Sequence, residues 1–135
     1  TIAATAAPLF KKLSLELGGK NPNIIFSDCD FEQAVSTSVH SSFSNQGEIC
    51  LCGSRILVEQ SLYQKFTDAF VKRTRELVVG DPFDEKTRIG ALVSESHMKK
   101  VLSYIELAKQ EGGTILCGGN RTILPGRFKK GFYVE

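Results

Sequence analysis

The chain has 135 residues, 41% of them hydrophobic and 24% charged. Those values match ordinary globular proteins and exclude disordered, collagen-like and mucin-like readings. Lys and Arg number 17 against 15 Asp and Glu, a formal net charge of +2 that advertises neither a nucleic-acid nor a membrane-surface partner, and no apolar run approaches the roughly 18–20 residues that span a bilayer.

Residues 1–10 are Ala-rich and helix-prone, with Pro8 interrupting near the end. Leu13-Ser14-Leu15-Glu16-Leu17 alternates with period two, as a strand does. Gly18-Gly19-Lys20-Asn21-Pro22 reads as a turn or tight loop. Asn23-Ile24-Ile25-Phe26 reads as a short buried strand. Asp30, with Gln33 three residues on, makes a capping box before a helix whose apolar face is Phe31, Ala34, Val35, Val39 and Phe43. Asn45-Gln46-Gly47-Glu48 ends that helix. Ser54-Arg55-Ile56-Leu57-Val58 reads as a strand. Ser61 caps an amphipathic helix carrying Leu62, Phe66, Ala69, Phe70 and Leu77. Asp81-Pro82-Phe83-Asp84 is a turn. Ser94 or Ser96 caps a helix carrying Met98, Val101, Leu102, Ile105 and Ala108, which Gly112-Gly113 stops. Thr114-Ile115-Leu116-Cys117 reads as a strand, residues 120–130 as a polar basic loop, and Phe132-Tyr133-Val134 as a last strand. This order favours an α/β fold with parallel pairing. The start, Thr1-Ile2-Ala3-Ala4, falls inside a helical pattern, as expected of a piece of a longer chain.

The four cysteines are too few for a disulfide scaffold. Cys50-Leu51-Cys52 is neither a redox C-x-x-C nor a zinc knuckle, and His40 and His97 do not stand at ligand spacing to the cysteines. No metal is expected. The spacing suits a reduced intracellular protein with mostly buried thiols.

Two segments carry chemistry. In Leu15-Glu16-Leu17-Gly18-Gly19-Lys20-Asn21-Pro22 a carboxylate precedes a Gly-Gly turn. Either it faces water on an edge strand, or desolvation makes it a general base near neutral pH. In Asn45-Gln46-Gly47-Glu48-Ile49-Cys50-Leu51-Cys52 a thiol follows a helix and a polar turn. Either it is a buried structural Cys, or it is a nucleophile beside backbone N–H groups. A strand after Cys50 would turn Cys52 to the same face.

Together the two segments resemble the glutamate and cysteine signatures of NAD(P)-dependent aldehyde dehydrogenases. Glu16 and Cys50 stand 34 residues apart, as in that family. Gly80-Asp81-Pro82, Ile89-Gly90-Ala91-Leu92, Lys109-Gln110-Glu111-Gly112-Gly113 and Gly131-Phe132-Tyr133-Val134-Glu135 follow in the family's order. The stretch ending at Cys52 is most similar to the branch that oxidises 2-aminomuconic and 2-hydroxymuconic semialdehydes.

The resemblance implies Cys50 as the nucleophile and Glu16 as the general base. It implies the Cys50 backbone N–H as half of an oxyanion hole. It implies cofactor contacts from the Leu17 carbonyl, His97 and Lys100, and a substrate path lined by Phe43, Ser44 and Cys52. It implies NAD, or NADP, as hydride acceptor and a small aldehyde as substrate, in a cytoplasmic homo-dimer or homo-tetramer. It divides the chain into residues 1–19, the last helix and strand of a Rossmann cofactor domain, and 20–135, part of a three-layer α/β catalytic domain with a mostly parallel sheet. The family's dinucleotide motif and oxyanion Asn belong upstream, so the isolated chain is expected to lack dehydrogenase turnover. Two alternatives stand beside this reading: residual thiolesterase activity in the isolated segment, and a non-catalytic structural protein that kept the fold.

Overall fold

A computed structural model describes residues 1–135. Its elements in chain order are α1 (Ile2–Ala6), β1 (Pro22–Ile25), α2 (Phe31–Phe43), β2 (Arg55–Val58), α3 (Tyr63–Arg75), α4 (Glu95–Gln110), β3 (Arg121–Thr122) and β4 (Tyr133–Val134). None of the helices is long and apolar enough to cross a membrane.

The helices that sequence periodicity describes are present. The Asp30 carboxylate accepts a bond from the Gln33 N–H at 3.1 Å and starts α2. Val35 and Val39 are buried on its apolar face. Of the two serines before α4, Ser94 is the cap: its hydroxyl oxygen accepts from the His97 N–H at 3.2 Å. At the far end Gly112 adopts φ +89°, a left-handed conformation that suits glycine.

β1 and β2 pair in parallel, with Pro22 beside Arg55 and Ile25 beside Val58. The loop between them carries α2, giving the β-α-β connection that parallel strands require. α2 and α3 cover one face. There Ile25, Val35 and Phe66 form a buried cluster, and Phe66 stacks on Phe70 at 5.9 Å between ring centroids. On the other face Ile24 and Leu57 lie in register and are 57% and 55% exposed, an apolar stripe left bare. Only 11 of the 135 residues are buried, so the chain leaves much apolar surface uncovered, as expected of a segment of a larger fold.

Several elements differ from the sequence reading. The 13–17 segment is not a strand. No neighbouring strand offers it a hydrogen-bonding ladder, and Leu17 is 75% exposed. The 114–117 segment is irregular for the same reason. Part of the expected 120–130 loop is β3, which pairs antiparallel with β4 (Arg121 beside Val134), so polar residues hide a strand there. Ser61 does not cap α3. Its hydroxyl donates to Glu59 Oε1 at 2.7 Å, and α3 starts after Leu62 without a side-chain cap.

Glu59 closes the end of β2. Besides the Ser61 bond, its Oε2 accepts from the Ser27 N–H at 2.8 Å. The Ser61 hydroxyl first, and then the Ser27 N–H, hold its carboxyl below the ordinary glutamate value. A lowered native pKa stabilises the fold above the ordinary glutamate range and loses that contribution as pH falls through the native value. Glu59→Gln is therefore expected to lower the urea midpoint near pH 7, with the gap to the parent narrowing toward pH 3. Circular dichroism at the two pH values checks this; an equal gap at both would contradict it.

Candidate active site

α2 ends in a tight left-handed passage. Asn45, Gln46 and Gly47 adopt φ +49°, +57° and +74° in succession. Non-glycine residues resist this region by roughly 1–2 kcal/mol each, so neighbours must hold it. The Glu48 N–H donates to the Asn45 carbonyl at 3.0 Å. With its amide oriented to satisfy both atoms, Gln46 accepts from the Gly90 N–H at 3.3 Å and donates to the Asn45 carbonyl at 2.9 Å. Glu48 Oε1 meets His97 Nε2 at 2.8 Å, which ties the passage to α4. A Cβ on Gly47 would stand 3.0 Å from the Ser42 carbonyl, a second reason for glycine there.

The passage delivers Cys50 to a turn. The Cys52 N–H donates to the Ile49 carbonyl at 3.0 Å, which places Cys50 and Leu51 at its two central positions. Both are exposed. The Cys50 N–H makes no intramolecular hydrogen bond, so it is free to donate toward a developing oxyanion. Cys52 is 3% exposed, in the core. A turn rather than a strand follows Cys50, and the two thiols differ in exposure, one open and one buried.

A cavity of about 910 Å³ opens beside Cys50. Gly18, Gly19, Phe43, Glu48, Cys50 and His97 are among its lining residues. Built-on Cβ atoms at Gly18 and Gly19 meet nothing within 4 Å, so these glycines leave open space at its wall. Lys20, Arg75 and Glu135 also reach it, giving it charges of both signs.

Of the residues singled out from sequence, the cavity gathers Phe43, Cys50 and His97 and does not gather Glu16, Leu17, Ser44, Cys52 or Lys100. Glu16 and Leu17 lie just before the Gly18-Gly19 wall on an exposed segment. Glu16 is itself exposed in this chain. The Ser44 hydroxyl meets His40 Nδ1 at 3.1 Å, and Lys100 is exposed on α4. Sequence reading missed Glu48 and Asn21. Each acts through a partner far away in the chain, and neither has a local signal beyond its place within a motif.

A parallel β-α-β unit that presents an exposed thiol on a turn, with a Gly-Gly loop on a shared cavity, defines a segment of the mixed α/β class. The model of the aldehyde dehydrogenase family matches residues 1–135, and the chain belongs to that family. It is 57% identical over 117 residues to 2-aminomuconic semialdehyde dehydrogenase of Danio rerio, covering 87% of this chain and 24% of the relative. It is 49% identical over 135 residues to 2-aminomuconic semialdehyde dehydrogenase of Homo sapiens, covering 98% of this chain and 28% of the relative. The chain thus spans about a quarter of the length of these relatives. Among solved structures, betaine aldehyde dehydrogenase from Staphylococcus aureus in complex with NAD+ superimposes with a TM-score of 0.84 at 43% identity, over 99% of this chain and 26% of that one. HpcC from Thermus thermophilus gives 0.86 at 39% identity, over 98% and 26%.

Exposure separates the thiols: Cys50 is open, Cys29 and Cys117 are half-buried, and Cys52 is buried. Native alkylation with iodoacetamide, resolved by peptide mass spectrometry, is expected to label Cys50 first and Cys52 last. Labelling of Cys52 as fast as Cys50 would contradict the turn.

Proposed function

We propose that this segment supplies the nucleophile and general base of an aldehyde dehydrogenase that oxidises an aldehyde to a carboxylate. The observation that carries the reading is the Cys50 turn, an exposed thiol whose own N–H is unbonded, at the edge of a cavity shared with the Gly18-Gly19 loop.

The Cys50 thiolate attacks the aldehyde carbon. The carbonyl oxygen becomes an oxyanion, to which the Cys50 N–H donates, and a thiohemiacetal forms. NAD, or NADP, when bound, supplies the acceptor for the hydride that leaves this carbon. Loss of hydride leaves a thioester on Cys50. Glu16 takes a proton from water, the resulting hydroxide attacks the thioester, and the carboxylate departs as the Cys50 sulfur is regenerated.

The cavity beside Cys50 supports the reading that a dinucleotide binds there. The volume lies within the range of cofactor pockets, the glycine wall is open, and His97 offers a ring nitrogen. The Leu17 carbonyl is proposed to hold the nicotinamide carboxamide, and His97 and Lys100 to reach the adenosine ribose; of the three, His97 lines the cavity. The semialdehyde of a muconic acid is the proposed substrate, supported by the likeness to 2-aminomuconic semialdehyde dehydrogenases at 49–57% identity.

In the complete dehydrogenase that carries this segment, Cys50→Ala is expected to abolish hydride transfer, followed as reduced-cofactor absorbance. Glu16→Gln is expected to preserve a first burst of reduced cofactor and to slow steady turnover by about 10²–10⁴-fold, the usual worth of a general base. Continued turnover in Cys50→Ala would refute the nucleophile. A Glu16→Gln enzyme at the parent's steady rate would refute the base.

A further inference from the structure

We infer that Asn21 is a positioning residue for Cys50, its side-chain amide holding the turn that presents the thiol. The inference rests on the reading of Cys50 as nucleophile. Asn21 Nδ2 donates to the Cys50 carbonyl at 2.9 Å and to the Cys52 carbonyl at 3.2 Å. An amide NH2 has two hydrogens, and both are used here. The two bonds straddle Leu51, which is itself 78% exposed and contributes little packing.

The anchor is firm. Asn21 is half-buried just before β1, and its own carbonyl accepts from the Arg55 N–H at 3.2 Å, at the start of β2. Downstream, the Ser41 and Ser42 hydroxyls hold Gly53 through its N–H (2.9 Å) and its carbonyl (3.1 Å). A Cβ on Gly53 would come within 2.8 Å of Ser41 Oγ, so that position stays close to α2. Upstream, Glu48 and Gln46 hold the left-handed passage. Asn21 is the one side chain that bonds to the backbone of Cys50 itself. Fixing that carbonyl fixes the Cys50–Leu51 peptide plane. It thereby anchors the Cys50 Cα on the downstream side and limits how far the Cα–Cβ bond and the preceding N–H can swing about ψ.

The side-chain chemistry is specific. Asp at this position would set carboxylate oxygens against two carbonyl oxygens. Ala would leave both carbonyls without this donor. Ser keeps one donor on a shorter arm.

The test uses the complete dehydrogenase that carries this segment, with Asn21→Asp, Asn21→Ala and Asn21→Ser. A misplacement near 1 Å costs up to about 10²-fold in rate. Asn21→Asp and Asn21→Ala are expected to lower kcat by about 10–100-fold, with KM for the aldehyde changed less than about twofold and the pH profile unmoved. Asn21→Ser is expected to recover part of the loss. Hydrogen exchange at the Cys52 amide should quicken in the Ala and Asp variants, while exchange in α4 stays at the parent's rate, showing that the fold is kept. Faster Cys52 exchange with unchanged kcat would overturn the positioning role. Unchanged exchange in all three variants would overturn the bonds themselves. Cys50→Ala, assayed alongside, separates these outcomes: turnover there defeats the nucleophile reading whatever Asn21 does.

Discussion

The parallel pairing of β1 with β2 is the constraint from which the site follows. Parallel strands run in one direction, so the residues just before each strand meet at the same edge of the sheet. With Pro22 beside Arg55, the Gly18–Asn21 stretch and the Cys50–Ser54 stretch are brought to one end. A one-residue slip would turn Ile25 from the core to solvent and move Asn21 away from the Cys50 carbonyl. Burial of Ile25 against Val35 and Phe66 therefore fixes the register, and the register fixes where the thiol sits relative to the glycine loop.

The thiol is held from two sides by different means. Upstream, three left-handed residues turn the chain, and distant partners secure them: Gly90 through Gln46, and His97 through Glu48. Downstream, Asn21, Ser41 and Ser42 bond directly to the backbone between Cys50 and Gly53. Little apolar packing supports Cys50 or Leu51, so polar ties determine their geometry. Such an arrangement leaves the sulfur and the N–H of Cys50 unobstructed while limiting how far they wander, a requirement for a nucleophile that must also stabilise the charge it creates.

Much of this was legible in the sequence where the signal is local. The Asp30 cap, the Ser94 cap, the Gly112 stop and the apolar faces of α2 and α4 depend on residues within a turn or two of one another. The paired signatures around Glu16 and Cys50 led to the family. Strands were harder, because a strand exists only beside another. The alternation of residues 13–17 and the apolar run of 114–117 are strand-like patterns without a ladder in this chain, whereas Arg121-Thr122 pairs despite its polarity. Cys52 differs from Cys50 in exposure because a tight turn, not a strand, follows Cys50. Asn21 was invisible because its bonds reach across 29 and 31 residues, a distance that no local pattern encodes.

The account stands on Cys50 as the atom that takes the acyl group. The direct measurement is mass spectrometry of the complete dehydrogenase quenched in acid during turnover with aldehyde and cofactor. Fragmentation of the peptide spanning Asn21 to Arg55 separates Cys29, Cys50 and Cys52. The account predicts the acyl mass increment on Cys50, accumulating further when Glu16 is replaced by Gln. An increment on Cys29 or Cys52 with Cys50 unmodified would contradict it.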